Sequence, residues 1–159
     1  MKKLLLLLGI ILILGLLQVT VLNYFRIFLV KPDLLLISLV IISLYLGSLW
    51  QVLVFGVIIG MLKDVLSLNI SSLNIILFPL WGLAIVKLSK KIVIDTDIIR
   101  GLLILIIVIL NGVIVRLMYL PAGIVISSGI FFKILVLESL YTALVAPLLF
   151  KLIHPLILK

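Results

Sequence analysis

The sequence contains no cysteine and a single histidine. Without cysteine, the chain cannot form a disulfide, an iron–sulfur cluster, a zinc ribbon or a thiolate nucleophile. The histidine, His154, lies beside Pro155 near the end of the chain and belongs to no cluster of histidines and carboxylates of the kind that binds transition metals. The Gly-x-Ser-x-Gly motif of many serine hydrolases is also absent. These absences argue against most soluble-enzyme chemistries.

Charged residues are scarce as well. They make up 11% of the chain, whereas 67% of the residues are hydrophobic, and the mean hydropathy is +1.65. A water-soluble domain needs more polar side chains to cover its surface, so the composition predicts a membrane protein. The net charge of +8 comes from basic residues scattered between the apolar segments. This pattern is typical of loop charges that orient membrane spans and does not indicate binding to nucleic acid.

The pattern of apolar segments predicts one all-α polytopic membrane domain, residues 1–159, with about six short transmembrane helices. The segment Leu34–Leu62 has no formal charge and would be about 43 Å long as one helix, which exceeds a ~30 Å hydrocarbon core. Gly47 and Ser48, near its middle, predict a tight turn between two spans. The predicted spans are about residues 4–22, 34–46, 49–62, 73–86, 101–120 and 130–150.

The distribution of Lys and Arg predicts the orientation of these spans. With six spans, both termini and the hydrophilic stretch Lys87–Arg100 lie on the cytoplasmic side. A single helix over Leu34–Leu62 would instead place that stretch outside. Lys63 and Asp64 are expected to begin a polar connection after the third span. Because several spans are short, five full crossings are an alternative.

The motif Gly56-x-x-x-Gly60-x-x-x-Asp64 places two glycines and a carboxylate along one helix face. Glycines at this spacing allow another helix to approach closely. The second helix could belong to the same chain or to a partner protein, and the pattern leaves both interpretations open.

Glu138 lies about 12 Å along the sixth predicted span from Ile130. A carboxylate at this depth is costly unless it is protonated or paired. The pattern predicts an intramembrane ion pair with Arg116 or Lys133, which are both placed near the outer surface. A proton relay or substrate site, or a contact with another subunit, are the alternatives.

Lys31, Pro32 and Asp33 begin the second predicted span, with proline suited to a first helical turn and aspartate near the positive end of the helix. The run Lys-Pro-Asp-Leu-Leu-Leu-Ile at 31–37 is followed by the glycine–aspartate motif at 56–64. Together with Leu-Gln-x-Thr-Val-Leu at 17–22, these features resemble the rod shape-determining protein MreD family, chiefly over residues 16–76.

This resemblance implies a bacterial inner-membrane subunit of the machinery for cell elongation and peptidoglycan synthesis. The implied partners are MreC and, beyond it, RodA, a class B penicillin-binding protein and, indirectly, MreB. The implied fold is that of the substrate-binding subunits of energy-coupling-factor transporters. The expected role is a scaffold without catalysis or cofactor, in which Gly56 and Gly60 set close approach and Lys31, Asp33 and Asp64 shape the outer end.

Two other functions compete with this interpretation. A substrate-binding subunit of a vitamin transporter would share the fold, but such subunits usually carry Ala-x-x-x-Ala on the first helix, where this chain has Gly9 and Gly15. An intramembrane peptidase or lipid-modifying enzyme would need two facing carboxyl groups. Asp64 and Glu138 are the candidates for such a pair.

Overall fold

The computed structural model of the chain describes residues 2–24, 30–67, 73–120 and 127–158. This part of the chain contains six α-helices and one short 3₁₀ turn at Val21–Asn23. The helices are α1 (Lys2–Val19), α2 (Leu34–Leu46), α3 (Leu49–Ser67), α4 (Asn74–Ser89), α5 (Asp97–Tyr119) and α6 (Ser128–Leu158). Over these ranges, the prediction of an all-α protein is therefore confirmed.

The turn between α2 and α3 lies where the sequence predicted it. Gly47 ends α2 in the left-handed conformation, with φ of 61°. Only glycine adopts this conformation without a steric penalty, so the residue fixes the end of the helix.

The end of α3 differs from the prediction. The helix continues to Ser67, so Lys63 and Asp64 lie within it and do not begin a polar connection. Both side chains are bound by neighbouring helices, which stabilises the last turns of α3. Residues 68–72 of the predicted connection lie outside the described residues.

Helix α2 forms the centre of the bundle. Every residue from Leu34 to Ser43 is buried, and α2 contacts each of the other five helices. A helix with apolar side chains on all faces is stable only when it is covered on all sides. Around it, α3 packs on α4 and α5 packs on α6.

Three of the described helices are long and apolar enough to cross a membrane, over Leu49–Leu66, Asp97–Tyr119 and Ser128–Ile153. Helices α1, α2 and α4 are apolar but shorter. Large apolar side chains also cover the outside of the bundle, as at Leu144 and Leu148 of α6. Such a surface suits lipid and not water. Length, composition and surface together indicate a helical membrane protein.

The side-chain contacts also show which helix ends lie together. The end of α1 meets the start of α2 through Gln18 and Asp33, and the end of α3 meets the start of α4 through Asp64 and Asn74. Lys63 then joins the end of α3 to the start of α2. These four helix ends form one end of the bundle, called here the polar end.

Candidate functional site

Asp33 lies at the centre of the polar end and is 3% exposed. It is the N-cap of α2, and its Oδ1 accepts a hydrogen bond from the Leu36 amide at 3.1 Å. Its Oδ2 accepts from the Lys63 ammonium, and its own amide donates to Thr142 Oγ1 of α6 at 3.1 Å. The prediction that this aspartate lies at the positive end of a helix is confirmed. The carboxylate also connects α2 with α3, which the sequence did not indicate.

Lys63 is the cation that compensates Asp33. Its side chain is 16% exposed, and its ammonium lies 5.0 Å from the centre of the Phe78 ring on α4. An ion pair that is removed from water gains little net stability, but the loss of either partner leaves a costly buried charge. The pair therefore holds the ends of α2 and α3 in a fixed relation.

Gln18 connects α1 to the same site. Its Oε1 accepts a hydrogen bond from the Leu35 amide at 3.0 Å, and its Nε2 lies 3.5 Å from Asp33 Oδ1. The Lys31 ammonium donates to the Gln18 carbonyl at 3.2 Å. The Leu35 amide belongs to the first turn of α2, where amides have no partner within the helix. Gln18 thus caps α2 from a neighbouring helix.

Asp64 performs the corresponding task for α4. Its carboxylate accepts hydrogen bonds from Asn74 Nδ2 at 2.6 Å and from the Ile75 amide at 3.0 Å, with the Asn74 amide at 3.4 Å. The amides at a helix start carry a partial positive charge that a carboxylate stabilises. Asp64 is 7% exposed, so it is a buried link between two helices of the same chain.

Gly60 and Gly56 lie about one and two turns before Asp64, respectively, and face α4 as well. A Cβ placed on Gly56 would be 2.7 Å from Pro79 Cα, and one placed on Gly60 would be 2.7 Å from the Asn74 carbonyl carbon. Of the two interpretations of the glycine motif, the structure shows the intramolecular one. The glycines and Asp64 are buried within the chain, so they do not form an accessible surface for a partner.

Lys31, Pro32 and Asp33, the other predicted interface residues, lie at the start of α2. Pro32 and Asp33 are buried, and Lys31 is partly buried. The predicted site residues of the resemblance are therefore brought together, but as contacts between helices of one chain.

The structure does not bring Glu138 to Arg116 or Lys133, as the sequence predicted. The Arg116 guanidinium donates to Ser128 Oγ at 3.1 Å and lies 4.1 Å from the centre of the Phe131 ring. Lys133 is exposed and lies about 140° around α6 from Glu138. The predicted pair with Lys133 does not form because helix register turns the two α6 side chains in different directions, and Arg116 of α5 contacts Ser128 and Phe131 instead.

Glu138 instead faces the polar end, where the charges of Lys63, Asp33 and Lys31 act on its carboxylate. It lines a cavity of about 190 Å³ together with Gln18, Lys31, Asp33, Lys63 and three aliphatic side chains. The carboxylate has no hydrogen-bond or ion-pair partner among the described residues. The cavity combines two ammonium groups with two carboxylates.

Another buried polar contact joins α4 to α5. Trp81 Nε1 donates to Asn111 Oδ1 at 3.1 Å, and Asn111 is 6% exposed. Within the described ranges, no three His, Asp or Glu side chains gather in a way that could hold a metal ion. The arrangement at the polar end can therefore hold helices together and can offer charged groups to a small molecule.

Comparisons of the chain with protein-family models, with curated proteins and with solved structures give no match.

Proposed function

We propose that the chain is a non-catalytic membrane scaffold subunit of the bacterial cell-elongation complex and that it binds MreC. The observation that carries this proposal is that the residues of the MreD resemblance converge in space. Gln18, Lys31 and Asp33 meet Lys63 at the polar end, and Asp64 fastens α4 beside them. Residues far apart in sequence thus form one structural unit, and this convergence supports the proposal.

The bonding of the carboxylates supports a scaffold more than an enzyme. Asp33 is bound to Lys63 and to the start of α2, while Asp64 is bound to the start of α4. General acid–base catalysis needs a group that is free to exchange a proton with a substrate. These two carboxylates already serve the packing of helices.

The proposed topology has six membrane crossings in the inner membrane, with both termini in the cytoplasm. The up-and-down order of the helices then places the polar end towards the outer side. Helix α2 is about 20 Å long, which is less than the hydrocarbon thickness, so the start of α2 would lie below the outer surface. The fold proposed on this basis is that of the transporter substrate-binding subunits.

The proposed partner surface is formed by exposed apolar helix faces and short outer loops. MreC would bind directly, and RodA, a class B penicillin-binding protein and the MreB filament would be linked through that contact. A membrane scaffold needs no chemical step, because it acts by holding partner helices close to one another.

Affinity purification of the tagged full-length chain from cells in mild detergent tests this proposal. We expect MreC to be recovered with the folded chain. Recovery of an abundant, folded chain without MreC would contradict the proposal.

One observation favours a second candidate, the substrate-binding subunit of a vitamin transporter. The charged cavity beside Glu138 is large enough for a small molecule. The same purification distinguishes the two candidate functions, because a transport subunit would co-purify with an ATPase and a bound vitamin in place of MreC.

A further inference from the structure

The cavity at the polar end is lined by an unusual number of charged side chains for so apolar a chain. The chain has only five acidic residues, and two of them, Asp33 and Glu138, line this one cavity. Lys31 and Lys63 lie on the same walls. Glu138 lies about 15 Å along α6 from Ser128, well within an apolar helix. Charged residues at such depth are costly and are commonly functional.

The four charged groups are not equally satisfied. Asp33 is bound to Lys63 and to the Leu36 amide, so this ion pair is complete within the fold. Glu138 faces the cavity, and its carboxylate has no bonding partner in the described part of the chain. An ionised carboxylate accepts up to about four hydrogen bonds. Glu138 is therefore the group of the cavity whose bonding is left open.

The balance of charge limits what can complete this bonding. Two lysines face two acidic residues, so the lining has no net formal charge. A bare cation or a bare anion would leave one uncompensated charge at membrane depth, which is strongly unfavourable. A ligand that carries both signs preserves the balance and can meet both kinds of group.

We propose that this cavity binds a small zwitterion, whose ammonium pairs with Glu138 and whose anionic group lies towards Lys31. The volume of about 190 Å³ far exceeds the roughly 10–15 Å³ that one water needs, so there is room for a ligand of amino-acid size. The aliphatic residues Val19, Leu35 and Leu66 on the wall suit the carbon atoms between the two charges.

Two sources supply this chemistry. A free amino acid carries an ammonium and a carboxylate, and the headgroup of an ethanolamine phospholipid carries an ammonium and a phosphate. The inference does not depend on binding to MreC, because it concerns the inside of the polar end and not the outer helix faces.

The test uses the purified full-length chain in nanodiscs of phosphatidylglycerol, which has no amine. Glycine is titrated in one arm, and phosphatidylethanolamine is added to the discs in the other. We expect one of these probes to raise the thermal unfolding midpoint saturably, because a ligand that binds only the folded state stabilises it. Saturation by glycine identifies a free zwitterion, and an effect of the ethanolamine lipid alone identifies a headgroup.

Chemical and mutational controls test the role assigned to Glu138. Glycolate has the carboxylate of glycine without its ammonium, so it should not bind. Glu138→Gln should weaken the affinity for the bound probe by about ten- to a hundredfold, which is the usual contribution of a hydrogen bond to a charged group. Asp97→Asn is the matched control, because it removes a carboxylate from the exposed pair with Arg100 and should leave binding unchanged.

If Glu138→Gln does not accumulate, the Lys31→Gln variant tests the proposal instead, because it removes the positive charge of the proposed site. Binding should then weaken by a similar factor. Failure of both probes to bind the folded wild type would overturn the proposal. Unchanged binding in every folded variant at Glu138 and Lys31 would overturn it equally.

Discussion

The Gly60→Ala substitution tests how closely α3 and α4 pack. The added Cβ would lie 2.7 Å from the Asn74 carbonyl carbon and 2.8 Å from Ile75 Cα, both of which are backbone atoms. Carbon atoms normally approach to about 3.5–4.0 Å. Since backbone cannot turn aside as a flexible side chain can, α4 would have to move away by about 1 Å.

The cost of this movement can be estimated from the contacts along the interface. A gap of about 0.5–1 Å forfeits a quarter to a half of each dispersion contact, and overpacking typically costs about 1–3 kcal/mol. The 2.6 Å hydrogen bond between Asp64 and Asn74 would also lengthen. Alanine regains up to about 1 kcal/mol of helix propensity. We therefore expect a net loss of about 1–2 kcal/mol, and a larger loss for Gly60→Leu.

Equilibrium unfolding of the purified chain in detergent micelles measures this change in the free energy of unfolding. Gly9→Ala is the matched control, because Gly9 is also helical but has open space around it. This variant should be as stable as wild type or more stable by up to about 1 kcal/mol. Equal stability of Gly60→Ala and Gly9→Ala would refute the close packing of α3 on α4.

Asp64→Ala removes the acceptor at the start of α4, and we expect a loss of about 2–3 kcal/mol in the same unfolding assay; a change below about 0.5 kcal/mol would contradict the cap. Lys63→Met leaves the Asp33 carboxylate buried and unpaired, so it should cost about 3–5 kcal/mol. In a double-mutant cycle with Asp33→Asn, the summed losses of unfolding free energy of the two single variants should exceed the loss of the double variant. Strict additivity would argue against the ion pair. A cysteine at position 90 should be shielded from an impermeant reagent in intact cells and labelled after permeabilisation, whereas labelling in intact cells would contradict the six-span topology.

Some features of the fold could be predicted because they depend on local sequence. Gly47 ends α2 by its own conformation, and Asp33 caps α2 through an amide three residues away. These signals act within a few residues, so a single sequence contains them. The long apolar segments likewise predict helices wherever the bilayer is the solvent.

Contacts between distant helices could not be predicted in the same way. In α2, apolar residues occupy every face, so no periodicity shows which side meets α3 and which meets α6. The pair of Lys63 with Asp33 and the contact of Trp81 with Asn111 depend on this arrangement. Glycine spacing predicted a close helix contact, but the identity of the second helix became clear only from the packing.

The prediction for Glu138 shows the same limit at a single residue. Depth in the membrane and the number of nearby cations favoured Arg116 and Lys133 as ion-pair partners of Glu138. The direction of the Glu138 side chain instead determines which groups it meets. Glu138 faces the cavity at the polar end, which is also lined by Lys63 of α3 and by Lys31, just before α2. Lys133 and Glu138 are five residues apart on α6, whereas side chains that are neighbours on a helix surface are three or four residues apart. Closeness in sequence was therefore a poor guide to contact.

Direct binding between the purified chain and purified MreC, with both proteins in nanodiscs, tests the proposed scaffold function most directly. The chain is first shown to be folded by its unfolding transition, so that a negative result is informative. The account predicts saturable binding at micromolar or lower concentration, without any added cofactor or nucleotide. Absence of binding by the folded wild-type chain would contradict it.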